Sequence, residues 1–488
     1  MPVDGHAFFS GFLQDYSNMI TSNIIEREQS AQRQWVTQDP AVDPIANRLL
    51  EREFLLPGQA IDLETWELAR ILNFARTEVP WYVAQQEWSK LPVGKKALGR
   101  EVLLELPVLS KFDVQNHFDD LVPRSYPRGH EPFKFNSSSG TTGKPTKVVF
   151  SRLAIGMFGF HLQRHMRWFR VNPAWKKAFI RLPHNIPVNA DGKMLGVGEV
   201  FRGEGWMDIA HLFKTGPTVG FSRHNSTEDK LKWLRLENPD YFMSFPGTLE
   251  SLVLAAQGNP AETIKAARTI SATLTPGMRR RIESASGLHP QQNYGLNEIG
   301  IVALRCPEGR YHVNAEHCIV EILDKDQQPC TPGQTGRIVV TAISNFAMPL
   351  IRYDTGDLGV AVEGACACER TTPGFAEVTG RYRPMHLAPE GTALRVQLIT
   401  DVIDELPLPS LAGLREYQIH QYRDNSFELR LVTVGEPDVE LTGSVQAAWD
   451  SSFGPDFSLK ICRVDRIPTL PGGKQQEFSS DFFPKQDK

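Results

Sequence analysis

Short apolar runs alternate with helix-like segments through the middle of the chain, and this alternation limits the possible folds more than any other feature. The segments "KAFIRLP", "PDYFMSFPG" and "TISATLTPG" each have the apolar run and terminal turn of a buried strand. The segment "PGMRRRIESASG" is typical of a following helix that Gly287 closes. Strands that alternate with helices predict helices packed on a sheet, so we expect an α/β fold.

The flanking regions predict further parts of the fold. Residues 1–130 read as a mostly helical lead-in, and the amphipathic "LETWELARILNFARTEV" ends before Pro80 as a helix would. From about residue 310, apolar runs broken by Gly, Pro and Asp indicate a β-rich subdomain. A chain of 488 residues is too long to fold around a single hydrophobic core. We therefore predict a large, multi-layer α/β domain over 1–380 and a small α+β domain over 381–488.

Composition and charge exclude several classes of protein. The chain is 41% hydrophobic and 23% charged, and its net charge of −4 with no basic run gives no reason to expect nucleic acid. The first residues lack the pattern of a signal peptide, and no apolar segment is long enough to span a bilayer. Six cysteines in this length do not resemble a disulfide framework. These features predict a cytoplasmic enzyme that acts on small molecules.

The stretch "FNSSSGTTGKPTKVVF" between Phe135 and Phe150 is a polar loop between apolar runs. It is not a P-loop, because Ser138 stands where the first glycine belongs and Pro145 follows Lys144. Its glycines nevertheless let backbone N–H groups approach an anion, while its hydroxyls and lysines add donors and charge. A phosphate-binding loop and a polar surface loop without a ligand are both compatible with this composition.

Four stretches together resemble the adenylate-forming superfamily of acyl-CoA synthetases, peptide-synthetase adenylation domains and luciferases. "SSSGTTGKPTK" resembles its phosphate loop, "NYGLNE" its Y-G-x-x-E motif and "RYDTGDLG" its Y-x-T-G-D motif. "LPGGKQQEF" resembles its C-terminal segment with the catalytic lysine. The segments "ILNFARTEVPWY", "LPVLSKFDVQNHF" and "AMPLIRYDTGD" resemble the phenylacetate–CoA ligase branch, which includes coenzyme F390 synthetase-like proteins.

This resemblance implies that the chain is a ligase that uses ATP to convert a carboxylic acid into an acyl-adenylate and then transfers the acyl group to CoA. An aryl or arylalkyl acid is the substrate that the branch implies. Because charge develops on the α-phosphate as pyrophosphate departs, cations and hydrogen-bond donors must surround the phosphates. The implied phosphate-binding residues are Ser138, Ser139, Gly140, Thr141, Thr142, Gly143 and Lys147.

The remaining motifs imply the rest of the nucleotide site. Glu298 would hold Mg²⁺, Tyr294 with its neighbours Asn293 and Gly295 would lie against the adenine, and Asp357 would accept the ribose hydroxyls. Arg381 would reach the ribose or phosphate. Lys474, on a C-terminal domain that the resemblance implies is a mobile lid, would neutralise the reacting carboxylate and α-phosphate. Each residue also has a structural alternative: a solvated turn carboxylate for Glu298, a core aromatic for Tyr294, a turn-capping residue for Asp357 and a solvated turn residue for Lys474.

Two regions depart from the family pattern. The hinge of this branch usually reads G-R-x-D-D, whereas this chain has "GRYRP", with Arg383 and Pro384 in place of both acids. This leaves the acceptor open between CoA and an amine, with activation of nitrite and a non-catalytic nucleotide-binding protein as remoter alternatives. The acid pocket is expected to include Phe245, Pro246 and Gly247; for Trp206 and His184 a structural role is favoured.

The cysteines raise the question of a metal. Cys306 and His312 form C-x5-H and Cys366 and Cys368 form C-x-C, which together could supply four ligands to a structural Zn²⁺, as some relatives of this branch have. His317 and Cys318 compete as ligands, and buried apolar cysteines are the alternative. The sequence does not give the oligomeric state, for which a homodimer is one option.

Overall fold

The computed structural model describes residues 26–91, 99–137, 146–188, 192–272, 274–381, 414–424, 426–433, 435, 439–453, 457–467 and 478–481. Contacts divide the chain into two compact units. The first unit comprises Met1–Pro173, Asp208–Lys214 and Asn293–Thr379, and the second comprises Ala174–Met207, Thr215–Gln292 and Gly380–Lys488. The division into domains at residues 380 and 381 stays a prediction.

Helices dominate the described N-terminal part of the first unit. They are α1 (Glu26–Arg33), α2 (Asp43–Arg52), α3 (Pro57–Glu78), α4 (Pro80–Val83), α5 (Gln86–Ser89), α6 (Lys111–Asn116), α7 (Phe118–Leu121) and α8 (Arg152–Trp168). Pro57 occupies the first position of α3, where its missing N–H has no intrahelical partner to lose. The helix ends at Glu78 because Val79, before Pro80, is extended. Leu68, Leu72 and Ala75 place its apolar face in the core.

Three small sheets of the described residues complete the first unit, except that Gly380 and Arg381, the last two residues of their final strand, belong to the second unit. Its strands are β1 (Pro132–Ser137), β2 (Lys147–Ser151), β8 (Asn293–Leu296), β9 (Gly300–Arg305), β10 (Tyr311–Val313), β11 (Cys318–Leu323), β12 (Thr335–Ala342), β13 (Tyr353–Val360), β14 (Gly374–Phe375) and β15 (Val378–Arg381). The sheet orders are β1-β2, β14-β10-β9-β8 and β11-β12-β13-β15. The pairings among β8–β10, and those of β11 and β13 with β12, are antiparallel, as expected for the predicted β-rich region.

A five-stranded sheet forms the centre of the second unit. Its strands are β3 (Lys177–Arg181), β4 (Val200–Gly203), β5 (Thr218–Ser222), β6 (Tyr241–Ser244) and β7 (Ala266–Thr269), in the order β4-β5-β3-β6-β7. Only β4 is antiparallel to its neighbour. Helices α9 (Thr227–Glu237) and α10 (Pro246–Ala256) connect successive parallel strands, and α11 (Pro276–Ser286) follows β7.

One strand ends earlier in the sequence than predicted. The segment "TISATLTPG" was expected to be a strand, but β7 ends at Thr269, its first residue. The backbone leaves the extended conformation because Ser271 has a left-handed φ of 64°. The helix that follows is as predicted, and Gly287 closes it with a φ of 69°, a conformation that glycine adopts without strain.

The described C-terminal residues form a mixed α+β arrangement. The elements are β16 (Leu414–Gln421), β17 (Phe427–Thr433), α12 (Val439–Phe453), β18 (Leu459–Arg463) and β19 (Phe478–Ser480). The sheet order is β18-β17-β16-β19, with β16 and β17 antiparallel and the outer strands parallel to their neighbours. Leu429, Val445 and Trp449 are buried in the core of the second unit. The observed elements confirm the predicted α/β class.

Candidate functional site

The Gly/Ser/Thr loop joins the two strands of the β1–β2 hairpin. Ser137 at the end of β1 pairs with Lys147 at the start of β2, and the side chain of Lys147 is exposed. An antiparallel hairpin differs from the strand-to-helix connection of a P-loop, in agreement with the failed motif match. The predicted phosphate-binding residues Ser138, Ser139, Gly140, Thr141, Thr142 and Gly143 lie outside the described residues.

Tyr294 and Asp357 come from two different motifs and are in direct contact. The hydroxyl of Tyr294, on β8, donates a 2.8 Å hydrogen bond to Oδ2 of Asp357, on β13. Both side chains are buried, and the ring of Phe375 contacts that of Tyr294 edge-on, with 6.0 Å between centroids. Asn293 and Gly295 flank Tyr294 on β8, the first half-buried and the second exposed. The hydrogen bond fixes the orientation of the Asp357 carboxylate.

The turn before Asp357 is capped by a different aspartate. Oδ1 of Asp354 accepts a 3.0 Å hydrogen bond from the N–H of Gly356. The N–H of Asp357 donates to Oγ1 of Thr355 at 3.1 Å. Asp354 also forms a 2.9 Å ion pair with Arg337. The side chain that accepts the hydrogen bond from Gly356 is therefore that of Asp354.

Glu298 lies in the turn between β8 and β9. Its side chain is only 8% exposed, which does not fit a solvated turn carboxylate. No side chain or backbone group of the described residues forms a hydrogen bond or an ion pair with it. The carboxylate oxygens themselves keep some accessible surface, so they can meet a hard cation such as Mg²⁺, which prefers oxygen ligands.

Two predicted site residues come from the end of the chain. Arg381 is the last residue of β15, where only its backbone is described. The rest of the hinge, residues 382–384, and the catalytic candidate Lys474 lie outside the described residues.

The expected acid-pocket residues begin α10 directly after the parallel strand β6. Phe245 is the N-cap residue, and Pro246 occupies the first helical position. The guanidinium of Arg223 lies 4.7 Å from the ring centroid of Phe245. A Cβ atom added to Gly247 would meet no other atom within 4 Å, so the space beside the helix start is open. Ligands of α/β proteins bind at this carboxyl end of the strands.

The two further pocket candidates have different surroundings. Trp206 is completely buried, and its Nε1 donates a 3.1 Å hydrogen bond to the carbonyl of Trp175, as a core residue would. His184 is exposed, and its Nε2 lies 3.1 Å from the side-chain amide of Asn185.

Cys306, His312, Cys366 and Cys368 form a compact, buried cluster whose ligand atoms all lie within 4.8 Å of one another. Sγ of Cys306 is 3.8 Å from Sγ of Cys366, and Sγ of Cys368 is 3.1 Å from Nε2 of His312. Tetrahedral zinc with Zn–S bonds of about 2.3 Å separates its sulfur ligands by about 3.8 Å. Nδ1 of His312 lies 3.2 Å from the carbonyl oxygen of Thr372, a contact that orients the ring. The four residues fit a structural zinc ion.

The four side chains of the cluster change one another's pKa values. The hydrogen bond with Cys306 and the one with His312 lower the pKa of Cys368. Although burial lowers the pKa of His312, hydrogen bonds with Cys366 and Cys368 raise it to about 9. The hydrogen bond with Cys368 and burial raise the pKa of Cys306. Zinc binds thiolate and neutral imidazole, so a metal would displace the protons of Cys306 and His312 as it bound.

The competing ligand candidates do not belong to this cluster. Nε2 of His317 lies 2.8 Å from the carbonyl oxygen of Ile299, and its Nδ1 lies 2.7 Å from Oγ of Ser344. Cys318 directs its Sγ to the carbonyl of Val302 at 3.7 Å. Sequence reasoning considered His317 only as a zinc ligand and missed its contact with the turn that contains Glu298.

Arg352, which lies inside the matched "RYDTGDLG" stretch, also went unassigned. It is fully buried, forms a 3.1 Å ion pair with Glu321 and donates a hydrogen bond to the carbonyl of Leu106. An arginine directly after the apolar run "AMPLI" was the signal of this role in the sequence.

Similarity to known proteins shows the family to which the chain belongs. The sequence matches the AMP-binding enzyme family over residues 62–348. It is 26% identical to the phenylacetate-coenzyme A ligase of Thermus thermophilus over 336 residues, which cover 66% of this chain and 70% of that protein. It is also 26% identical to the phenylacetate-coenzyme A ligase of Pseudomonas putida over 345 residues, 67% of this chain and 71% of that protein.

A solved structure has the same fold. The crystal structure of 2-hydroxyisobutyryl-CoA ligase in the postadenylation state, in complex with 2-HIB-AMP, matches with a TM-score of 0.66 at 16% identity. The match covers 88% of this chain and 91% of that one. Because the family match spans more than half of the sequence, the chain belongs to the AMP-binding enzyme family. This confirms the predicted adenylate-forming ligase class. No helix of the described residues is long and apolar enough to cross a membrane.

Proposed function

We propose that this enzyme uses ATP to join an aryl or arylalkyl carboxylic acid to CoA. The carboxylate oxygen attacks the α-phosphorus of ATP, and the bond to pyrophosphate breaks to give an acyl-adenylate. The CoA sulfur then attacks the acyl carbon, AMP leaves with the electrons of the acyl–oxygen bond, and the thiol proton is released. The named activity of the relatives and the aromatic start of α10 support the choice of acid and acceptor.

The observation that carries this proposal is the 2.8 Å hydrogen bond between Tyr294 and Asp357. Two residues that the family resemblance assigns to one nucleotide come from motifs 63 residues apart and are in contact. In the proposed site Tyr294 lies against the adenine and Asp357 accepts the ribose hydroxyls, because an oriented carboxylate can bind two adjacent hydroxyl groups.

Mg²⁺ and basic residues complete the proposed site. Glu298 holds Mg²⁺ beside the ATP phosphates, which is consistent with a carboxylate that keeps some accessible surface and has no hydrogen-bond partner among the described residues. The Gly/Ser/Thr loop and Lys147 surround the β- and γ-phosphates. Arg381 contacts the ribose or phosphate, and Lys474 neutralises the reacting oxygens, where charge develops in the transition state.

We also propose that Cys306, His312, Cys366 and Cys368 hold a structural zinc ion. The metal would fix the segment before β14 to β9 and β10 and takes no part in the reaction. Thiolate ligands and ATP both suit a reducing interior, and we therefore place the enzyme in the cytoplasm. A homodimer is one option for its assembly.

The unusual hinge favours a second candidate for the acceptor. Because Arg383 and Pro384 replace the two acids that are usual in this branch, the second half-reaction could use an amine in place of CoA. The remaining alternatives to acid activation are activation of nitrite and nucleotide binding without turnover.

ATP–pyrophosphate exchange tests the first half-reaction directly. A panel of aryl, arylalkyl and aliphatic acids plus nitrite is assayed with the wild type, Lys474→Ala and Lys460→Ala, a control at a 75% exposed side chain. We expect exchange with aryl or arylalkyl acids and a loss of about 100-fold or more in Lys474→Ala alone. CoA and amines are then compared as acceptors. ATP binding without exchange for any acid would contradict the proposal.

A further inference from the structure

The backbone of the turn that contains Glu298 is in contact with the imidazole of His317. The N–H of Ile299 donates to the carbonyl of Leu296 at 3.3 Å, and the carbonyl oxygen of Ile299 lies 2.8 Å from Nε2 of His317. A carbonyl can only accept, so Nε2 carries the proton. Gly300 has a φ of 102°, and a Cβ atom there would lie 3.3 Å from the same nitrogen. Glycine at this position therefore leaves room for the imidazole.

The other side of this imidazole is fixed as well. Nδ1 of His317 lies 2.7 Å from Oγ of Ser344. Burial lowers the pKa of His317 to about 4, so the ring is neutral near pH 7, and Nδ1 accepts the hydroxyl proton of Ser344. The ring of His161 lies edge-on at 5.3 Å between centroids. Both nitrogens of His317 are therefore occupied, and its orientation and tautomer are defined.

Asn345, next to Ser344, extends this support to the strand after the phosphate loop. Its Oδ1 accepts a 3.0 Å hydrogen bond from the N–H of Ser151, and its Nδ2 donates to the carbonyl of Val149 at 2.8 Å. Val149 and Ser151 lie on β2, which begins at Lys147. Ser344 and Asn345 thus connect the Glu298 turn, through His317, to the strand that follows the loop.

We propose that His317 is a positioning residue that holds the turn at Ile299 so that the carboxylate of Glu298 meets the Mg²⁺ bound with ATP. This inference rests on the proposed role of Glu298. His317 itself contacts neither the metal nor the nucleotide. Groups that orient metal ligands from outside typically change metal affinity by about 10- to 100-fold when they are replaced.

Two substitutions at position 317 test whether the contact with Ile299 is needed or whether any polar side chain is sufficient. The amide nitrogen of glutamine can take the place of Nε2, whereas that of asparagine reaches only to the level of Nδ1. His317→Gln therefore keeps a donor for the carbonyl of Ile299, and His317→Asn loses it. His165→Asn is the matched control, because His165 is also buried and its Nε2 lies 3.1 Å from the carbonyl oxygen of Arg305, at the far end of β9.

The experiment measures ATP binding by calorimetric titration at a series of Mg²⁺ concentrations. We expect His317→Asn to raise the Mg²⁺ concentration for half-maximal binding about tenfold, and His317→Gln to raise it less than about threefold. Glu298→Gln should raise it at least as much as His317→Asn does. His165→Asn should leave it unchanged. The midpoint of thermal unfolding, measured without ATP and Mg²⁺, reports general destabilisation separately.

A wild-type Mg²⁺ dependence in His317→Asn would overturn the inference, as would an equal shift in His165→Asn. A lower unfolding midpoint without a change in Mg²⁺ dependence would assign His317 a purely structural role and also overturn it. Acid-dependent ATP–pyrophosphate exchange tests the proposed function independently. If exchange is absent while Mg²⁺-dependent ATP binding responds to His317→Asn as expected, the acid-activation proposal fails and the positioning role stands.

Discussion

Asp354 and Asp357 lie three residues apart and have different partners. Asp354 caps the turn and pairs with Arg337, whereas Asp357 accepts the hydroxyl proton of Tyr294. The hydroxyl of Tyr294 orients the Asp357 carboxylate and brings no opposite charge to it. Only Asp357 is therefore expected to affect recognition of the ribose, and the neighbouring aspartate supplies a natural control.

At the scale of single residues, Asp357→Asn should reduce kcat/KM for ATP by about 10- to 100-fold, because a hydrogen bond to a charged group contributes about 1.5–3 kcal/mol. The same substitution should change kcat/KM for 2′,3′-dideoxy-ATP little, since that nucleotide lacks both hydroxyls. The measurement is acid-dependent pyrophosphate release with each nucleotide. Asp354→Asn should lower stability and leave the ratio between the nucleotides unchanged. Equal losses with both nucleotides in Asp357→Asn would contradict the ribose contact.

The identity of such residues could be predicted from sequence, but their contacts could not. The resemblance of two motifs to those of a known family singled out Tyr294, Glu298 and Asp357. The contact between Tyr294 and Asp357 depends on how β8 and β13, in two different sheets, are brought together. His317 went unassigned to the Glu298 turn for the same reason, since no local pattern links it to Ile299.

At the scale of elements, the metal cluster depends on strand pairing. Cys306 directly follows β9, and His312 lies on β10, which pairs with β9 so that His312 is opposite Leu304. This register brings His312 to Cys366 and Cys368, whereas His317, beyond the end of β10, faces another turn. The sequence could not choose between the two histidines because register is a property of the paired strands.

Loss of one ligand should release the metal. Cys368→Ser is expected to reduce bound zinc from about one ion per chain to near zero and to lower the unfolding midpoint by about 5 °C or more, because structural zinc contributes folding free energy. Zinc content and thermal unfolding are measured on the same samples, with a chelator-treated wild type for comparison. Cys330→Ser, outside the cluster, is the control. Equal zinc content in the wild type and Cys368→Ser would contradict the metal site.

The displaced strand at "TISATLTPG" illustrates the limit of pattern reading at this scale. An apolar run and a following Pro-Gly turn predict a strand, yet the strand ends at Thr269 and Ser271 adopts a left-handed φ. Helix α11 and its glycine terminus were predictable, because capping signals are local. The end of a strand is instead decided by the neighbour with which it pairs.

At the scale of the molecule, a buried charge network joins parts of the first unit that are far apart in sequence. The carboxylate of Glu53, which directly follows α2, pairs with Arg164 at 3.2 Å, Arg370 at 3.2 Å and Arg167. Nε1 of Trp168 donates a further hydrogen bond to it at 2.8 Å. Arg370 lies 317 residues after Glu53 and only two after the zinc-ligand candidate Cys368. The network thus links the N-terminal helices, α8 and the segment that contains Cys366 and Cys368.

When the charge of Glu53 is removed, the positive charges of its three buried arginine partners are less well balanced by negative charge. Breaking a buried ion pair from one side typically costs about 3–5 kcal/mol, so Glu53→Gln should lower the free energy of unfolding by about that amount. Glu64→Gln is the matched control: its 2.6 Å ion pair with Arg100, whose side chain is 41% exposed, should contribute less than about 1 kcal/mol. Urea unfolding of both variants measures the difference. If both variants lose the same small free energy of unfolding, the three guanidinium groups must find other partners when Glu53 is neutral. The charge network would then not be what holds the N-terminal helices to α8.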